Sequence, residues 1–319
     1  MKKNENMTLL VTGGCGQIGS HVIDKEVSKY KRVISVDNLS TGKSYHLKKY
    51  DNLVNINCDI SDTEKINSIF NEYKPNHVVH CAGSYKDPND WQTDINTNCL
   101  GSANIIKASV ATKVDRFIYF QTSLCYGLKS ETELIKIDKI RQPQSSSYSI
   151  SKTTAEYYLE LSGLNYVTFR LANVIGPRNL AGALPIFYKR LKKREKIFIS
   201  DSKRDFVSAF DLSCLVTKAL NGKGSGAYHF SSGKDISISE LFNIILNQYK
   251  PNYNPEIEIL PLQKDDTKTI LLDPEKTIKD FGILKLQRID DIIAKAITYY
   301  EEFGVENEFT HLKINKEKL

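Results

Sequence analysis

The sequence predicts an α/β protein: a doubly wound parallel sheet followed by a smaller mixed lobe. Three observations lead there. Short β-branched runs alternate with longer amphipathic stretches through the first half of the 319-residue chain, a glycine-rich turn follows the first run, and the alternation loses its regularity after about residue 171. Strands separated by helices need crossover connections, which are right-handed and lay helices on both faces of a parallel sheet. At roughly 150 residues per domain, the length suits about two lobes.

In chain order, apolar and β-branched runs mark strands over 8–12, 32–36, 53–57, 77–80, 116–120 and 166–170; each is long enough for a strand and too short for a helix. Periodic apolar positions between them mark helices near 17–29, 62–72, 91–111 and 148–162. Further helices are expected near 184–193, 210–221, 237–248 and 289–303, with strand-like pieces around 196–199, 226–230 and 256–260, all read as the smaller lobe. Met1 to Asn6 are polar and the tail from Glu306 is weakly periodic, so neither enters the fold argument.

Composition excludes several classes. Apolar residues are 40% and charged residues 26% of the chain, with no low-complexity block, which excludes wholesale disorder. No stretch approaches the ~20 apolar residues of a bilayer span, and Leu9-Leu10-Val11 is too short for a signal-peptide core. A cytoplasmic protein without a membrane partner is expected. The net charge of +6 suits an acidic small molecule as well as nucleic acid. The densest basic run, Lys189 to Lys196, lacks interleaved aromatics and reads as a solvated helix face, so no nucleic-acid partner is expected. The six cysteines have no Cys-x-x-Cys spacing and read as reduced thiols. His77 and His80, three apart on a strand, point to opposite faces and cannot chelate together, so no metal site is expected.

The first strand runs into Gly13-Gly14-Cys15-Gly16-Gln17-Ile18-Gly19 and then a helix. Glycines let a backbone turn tightly and approach a pyrophosphate, whose charge the amides of a helix N-terminus stabilise. Asp37 ends the second strand about 20 residues later, where a carboxylate accepts from both ribose hydroxyls. It repels a 2′-phosphate, and no arginine follows directly, so NAD is favoured over NADP. Asp59-Ile60 follows the third strand and Cys81-Ala82-Gly83 the fourth, both at the carboxyl edge of the sheet where ligands bind.

Tyr148 and Lys152 stand four apart at the start of a helical pattern, after Thr122-Ser123 at the end of the fifth strand. Residues i and i+4 share a helix face, so the ammonium is expected to lower the Tyr148 phenol from about 10 and make it a general base.

With these motifs in order, the chain resembles the NAD-dependent nucleotide-sugar epimerase/dehydratase family of extended short-chain dehydrogenases/reductases, and the UDP-sugar 4-epimerases within it. The resemblance covers nearly the whole length and includes Asp37-Asn38-Leu39-Ser40-Thr41-Gly42, Thr122 to Gly127, Asn173 to Arg178 and Arg204 to Val207. It implies a Rossmann domain over 1–171, to which segments near 202–223 return, and a mainly nucleotide-sugar lobe over 172–319. It also implies that Tyr148 takes a proton from a sugar hydroxyl, that Lys152 binds the nicotinamide ribose, and that Thr122 hydrogen-bonds the reacting oxygen, with Ser123 as its fallback. Asn38, Leu39, Ser40, Gly42 and Asn98 would serve the cofactor site, and Ser84, Tyr85 and Ser123 would line the sugar pocket. Asn173 and Arg204 would meet the nucleotide diphosphate, and Asp266 would stand near the nucleotide, although Gln263 stands where an arginine is usual. A homodimer through the helices near 91–111 and 148–162 is a further implication.

Family members that dehydrate or decarboxylate carry an acidic residue just after the Thr122 position, whereas this chain has Ser123-Leu124. Leu124 cannot shuttle a proton, which favours epimerisation at C4 through a transient 4-keto sugar. A 4,6-dehydratase or uronate decarboxylase is the alternative, and a non-catalytic NAD-binding sensor the remote one. Ile270 and Lys86 leave the sugar open.

Overall fold

Leu9, Leu10 and Val11 have no exposed surface, which is why the first strand reads as an unbroken apolar run: both of its faces are covered. The computed structural model describes residues 4–85, 87–127, 134–143, 146–262, 268–282 and 285–305. Its first half runs β1 (Thr8–Thr12), α1 (Gln17–Glu26), β2 (Arg32–Asp37), β3 (Leu53–Asn57), α2 (Thr63–Tyr73) and β4 (His77–His80). It continues with α3 (Trp91–Asp94), α4 (Ser102–Ala111), β5 (Arg116–Thr122), α5 (Ser147–Leu161) and β6 (Tyr166–Leu171). The second half runs β7 (Asn173–Ile175), α6 (Ala183–Lys193), β8 (Ile197–Ser200), β9 (Lys203–Arg204), β10 (Phe206–Ser208) and α7 (Ala209–Leu220). Then come β11 (Gly226–Phe230), β12 (Ile236–Ser237), α8 (Ile238–Tyr249), β13 (Ile257–Leu260), α9 (Glu275–Phe281) and α10 (Ile289–Phe303).

The main sheet has seven parallel strands in the order β11-β6-β5-β4-β1-β2-β3. One face packs Leu9, Val11 and Phe169 against Val22 and Ile23 of α1, Leu212, Leu215 and Val216 of α7, and Phe281 of α9. The other packs Leu10, Val78 and Phe117 against Phe70 of α2, Ile105 of α4 and Leu159 of α5. Each such side chain contributes about 1.5–3 kcal/mol on burial. His77 and His80 do lie on opposite faces: His77 Nδ1 pairs with the Tyr30 hydroxyl at 2.6 Å, and His80 bridges Thr12 Oγ1 (2.6 Å) and Ser102 Oγ (2.9 Å).

The smaller lobe has its own core of α6, α8, α10 and β8, around Leu184, Phe187, Leu241, Phe242 and Ile293. Two assignments change. β11, expected in that lobe, is the edge strand of the main sheet, because its register on β6 places Tyr228 and Phe230 on the core beside Phe169. The helix expected over 91–111 is not continuous: a π-helical stretch, Ile95–Gly101, separates α3 from α4. A π turn is wider than an α turn, and this one turns Asn98, which has no exposed surface, inward. No described helix is long and apolar enough to cross a membrane.

Candidate active site

The turn between β1 and α1 is built around its glycines. Gly13 has φ +63°, and a Cβ there would stand 2.7 Å from Ala82 N; a Cβ on Gly19 would stand 2.2 Å from Gly13 O. Both obstacles are backbone, so only glycine lets the β4 loop and the first turn of α1 close on this point. α1 has no side-chain cap and no acidic residue in its first turn, which leaves its N-terminal amides for an anion.

Asp37 lies at the end of β2, with Cys15 N–H donating to Oδ2 (2.9 Å) and Leu39 N–H to Oδ1 (2.8 Å). Each carboxylate oxygen keeps a second lone pair for a hydroxyl donor. Burial raises the carboxyl's pKa, and the two amides oppose the rise. Gly42 closes the loop over it, since a Cβ there would stand 2.9 Å from Asp37 Oδ2. Asn38 donates to Asp59 Oδ2 (2.7 Å) and accepts from Ser40 N–H (3.1 Å). Burial tends to raise Asp59, but hydrogen bonds from Ser61 and Asn38 hold its carboxyl below the usual range. Ile60 is buried in the core beside α2 and α4, so its side chain is turned away from the cleft. The uncapped α1 terminus, the crowded glycine turn and the Asp37 carboxylate fit a dinucleotide.

Tyr148 stands in the first turn of α5, whose start is fixed by a reciprocal Ser146–Ser149 capping box. Asn98 ties this helix to the β4 loop: its Nδ2 donates to Ser151 Oγ (3.0 Å) and Ser84 O (3.1 Å), and its Oδ1 accepts from Ser84 N–H (2.8 Å). Asn98 therefore holds Ser84, in the loop after β4, against α5. Tyr85 meets Tyr148 edge-on, with ring centroids 6.4 Å apart. Thr122 caps the short 3₁₀ turn Ser123–Tyr126: its Oγ1 accepts from Leu124 N–H (3.2 Å), which orients the hydroxyl and leaves its proton for outward donation.

The phenol and ammonium do not shift as their spacing predicts. Burial raises the Tyr148 phenol, and the charges of Tyr85 and Asp94 add to the rise. Burial also pulls Lys152 down to about 7, against the opposing influence of Cys81 and Glu156. The Lys152 ammonium rests 4.1 Å from the centre of the Tyr119 ring. Desolvation is the largest influence on both groups, and neither group is among the causes of the other's shift.

Asn173 opens β7, which pairs with β10, and Arg204 ends β9, which pairs with β12. Asn173 Nδ2 donates to Asp205 O (3.2 Å), and Arg204 Nη1 to Lys203 O (2.7 Å). The buried Asp205 beside them accepts from Ser231 Oγ (2.6 Å), Ser232 Oγ (2.6 Å) and Ser232 N–H (2.8 Å). Asp266 and Lys86, expected near the nucleotide and at the sugar, lie outside the described residues. Sequence reasoning passed over Asp94, a buried carboxyl held by Ser84 and Ser147 beside Tyr148. It also passed over Gln121 and Glu156, although Glu156 stands one helical turn beyond Lys152 on the same face. Among the described residues no cluster of three or more His, Cys, Asp or Glu is positioned to hold a metal.

Comparison with known proteins bears on the family and the fold. A model described as the NAD-dependent epimerase/dehydratase family matches residues 9–231. A putative UDP-glucose 4-epimerase of Methanocaldococcus jannaschii is 32% identical over 259 residues, covering 75% of this chain and 82% of that protein. The Bordetella bronchiseptica enzyme WbmH, solved in complex with NAD+, is similar with a TM-score of 0.91 and 45% identity, covering 94% of this chain and 100% of that one. The same organism's WbmG, solved with NAD and UDP, is similar at a TM-score of 0.87 and 36% identity, over 97% and 98% of the two chains.

Proposed function

The chain belongs to the NAD-dependent epimerase/dehydratase family, and from that premise we propose that it is an NAD-dependent 4-epimerase of a UDP-sugar. The observation that carries the choice of reaction is Leu124, an apolar side chain one residue beyond Ser123, where an elimination would call for an acid or base. When bound, NAD supplies the acceptor and later the donor of the C4 hydride, and a positive nicotinamide ring. Burial raises the Tyr148 phenol in the NAD-free chain; with the positive nicotinamide ring and the Lys152 ammonium stabilising its phenolate, Tyr148 would take the proton of the C4 hydroxyl and return it to the same oxygen after the sugar turns over. Thr122 donates a hydrogen bond to that oxygen. Lys152 holds a ribose hydroxyl, and its charge offsets the phenolate. Asp37 takes the adenosine ribose; Ser84, Tyr85 and Ser123 line the sugar; Asn173 and Arg204 take the nucleotide diphosphate; and Asp266 stands near the nucleotide. The cycle has no net redox change, so the cofactor stays bound. In this reading the enzyme is a cytoplasmic homodimer, and its six free cysteines suit a reducing compartment.

One observation favours the dehydratase alternative: the buried Asp94 carboxyl beside Tyr148 is an acid that such a reaction would use. The test is incubation with UDP-, GDP- and dTDP-sugars, with and without added NAD, followed through the anomeric and C4 proton resonances. A C4 epimer appearing without net NADH is expected. A 4-keto-6-deoxy product or released carbon dioxide would overturn epimerisation.

A further inference from the structure

We propose that Gln121, oriented by the buried carboxylate of Glu156, is a positioning residue that sets the Thr122 backbone and thereby aims the Thr122 hydroxyl. This rests on the role given to Thr122 above. Thr122 is the last residue of β5, and its N–H has left the ladder: it donates to Gln121 Oε1 at 2.8 Å. Gln121 Nε2 in turn donates to Glu156 Oε2 at 3.1 Å and lies 3.4 Å from Thr153 Oγ1. Gln121 is 1% exposed and Glu156 fully buried, so water cannot replace either partner.

The amide can face only one way. A carboxylate only accepts and a backbone N–H only donates, so the NH₂ must meet Glu156 and the oxygen must meet Thr122. Glu156 is itself held from two sides, by Arg170 Nε at Oε1 (3.1 Å) and Arg141 Nη1 at Oε2 (2.9 Å). Arg170 is anchored further by Tyr126 OH (2.6 Å) and Ile137 O (3.1 Å). The carboxylate thus stands on α5 one turn beyond Lys152 and reaches across to the end of β5. The tether sets the register of Thr122 against the helix that carries Tyr148 and Lys152. Loss of the tether frees the Thr122 N–H, and with it the capping geometry that points the hydroxyl outward.

The test joins hydrogen exchange to a double-mutant cycle. In Gln121→Leu, amide exchange in the peptide spanning 117–126 should speed up in the NAD-loaded chain while peptides from α1 and α8 keep their rates. Gln121→Met, of nearly the same length, should do the same and serves if the leucine variant folds poorly. With UDP-glucose, UDP-N-acetylglucosamine or UDP-glucuronate, whichever is turned over, kcat should fall about 10-fold to 10²-fold, with KM within about twofold. In a Thr122→Ala background the same change should cost less than about twofold more, because a residue that acts through another is not additive with it. Unchanged exchange at 117–126, or a fully additive cycle, would overturn the proposal. Exchange is read without sugar, so it judges the tether even if none of the three sugars reacts; that result would count against the functional reading instead.

Discussion

At the scale of single residues, Tyr148 and Lys152 are governed by burial. Tyr148→Phe keeps the ring and removes only the proton-carrying oxygen, so turnover should fall at least about 10²-fold while NAD stays bound; near-normal turnover would remove Tyr148 from the role. Lys152 allows a test without substrate. Its folded pKa, about 7, lies below the 10.5 of an ordinary lysine. Below pH 7 the group is charged in both states, and burying the charge costs stability in full. Between about pH 7 and 10.5 the folded chain has lost the proton while the unfolded chain still holds it, so stability from this group rises with pH. Lys152→Met should therefore stabilise the NAD-free chain by about 1–3 kcal/mol near neutral pH, with the gain shrinking toward pH 10, in urea unfolding; these values lie below the full desolvation cost of a buried ion. A gain independent of pH would show that packing against Tyr119, not charge, sets the difference. The spacing of these two residues is common in itself; the glycine turn and the Thr122-Ser123 pair before them made them candidates, and α5 carries both in its first two turns. Gln121 was not legible: its partners, Thr122 N–H and Glu156, meet only once β5 lies against α5. Asp94 was hidden likewise, since its neighbours Ser84 and Ser147 come from the β4 loop and the start of α5.

At the scale of elements, the β1–α1 turn sets two physical effects against each other. Alanine in a helix is worth about 1 kcal/mol over glycine, so propensity alone favours Gly19→Ala. Its Cβ, however, would stand 2.2 Å from Gly13 O, and backbone on both sides cannot give way. The clash should win: the variant should lose NAD and about 1–3 kcal/mol of stability. Gly163 is the control. It has φ +73° with nothing within 4 Å of a Cβ, so Gly163→Ala should cost about 1 kcal/mol of left-handed strain and leave NAD binding intact. Equal NAD affinity in both variants, measured by calorimetry, would show that the turn does not carry the cofactor. The elements that sequence periodicity revealed are those with one long apolar face, such as α5, α8 and α10. The π-helical stretch before α4 leaves no periodic trace because it shifts the register within a run that stays helical. The seven residues of α9 are too few to show a period. β11 was read into the wrong lobe because its apolar pattern does not reveal that its partner, β6, lies far earlier in the chain.

At the scale of the whole molecule, the faces of α3, the π-helical stretch and α5 that point away from the sheet remain uncovered. Trp91 is 64% exposed, Ile95 51%, Ile150 50%, Tyr157 49% and Leu161 82%. Ile150, Tyr157 and Leu161 fall at i, i+7 and i+11, one stripe of α5, and α5 lies directly against the π-helical stretch that carries Ile95. Single exposed apolar residues are ordinary, but a stripe continued across two adjacent helices marks an interface. In the homodimer proposed above a second copy would meet it by symmetry, since a two-fold axis sets the same patch on itself and would stack two helices from each chain into a four-helix layer. The opposite faces of these helices carry Asn98, Tyr148 and Lys152, so the interface would buttress the site without contributing a group to it. Sedimentation equilibrium at micromolar concentration should therefore give the mass of two chains. Leu161→Glu paired with Ile150→Glu should give one chain with an unchanged far-ultraviolet circular dichroism spectrum, because both side chains face solvent in the single copy. The same variant should lose turnover by loosening α5 rather than by removing a catalytic group, so its turnover should recover at high protein concentration, as Tyr148→Phe would not. A single chain at every concentration of the unaltered protein would overturn the dimer and leave the stripe to another partner.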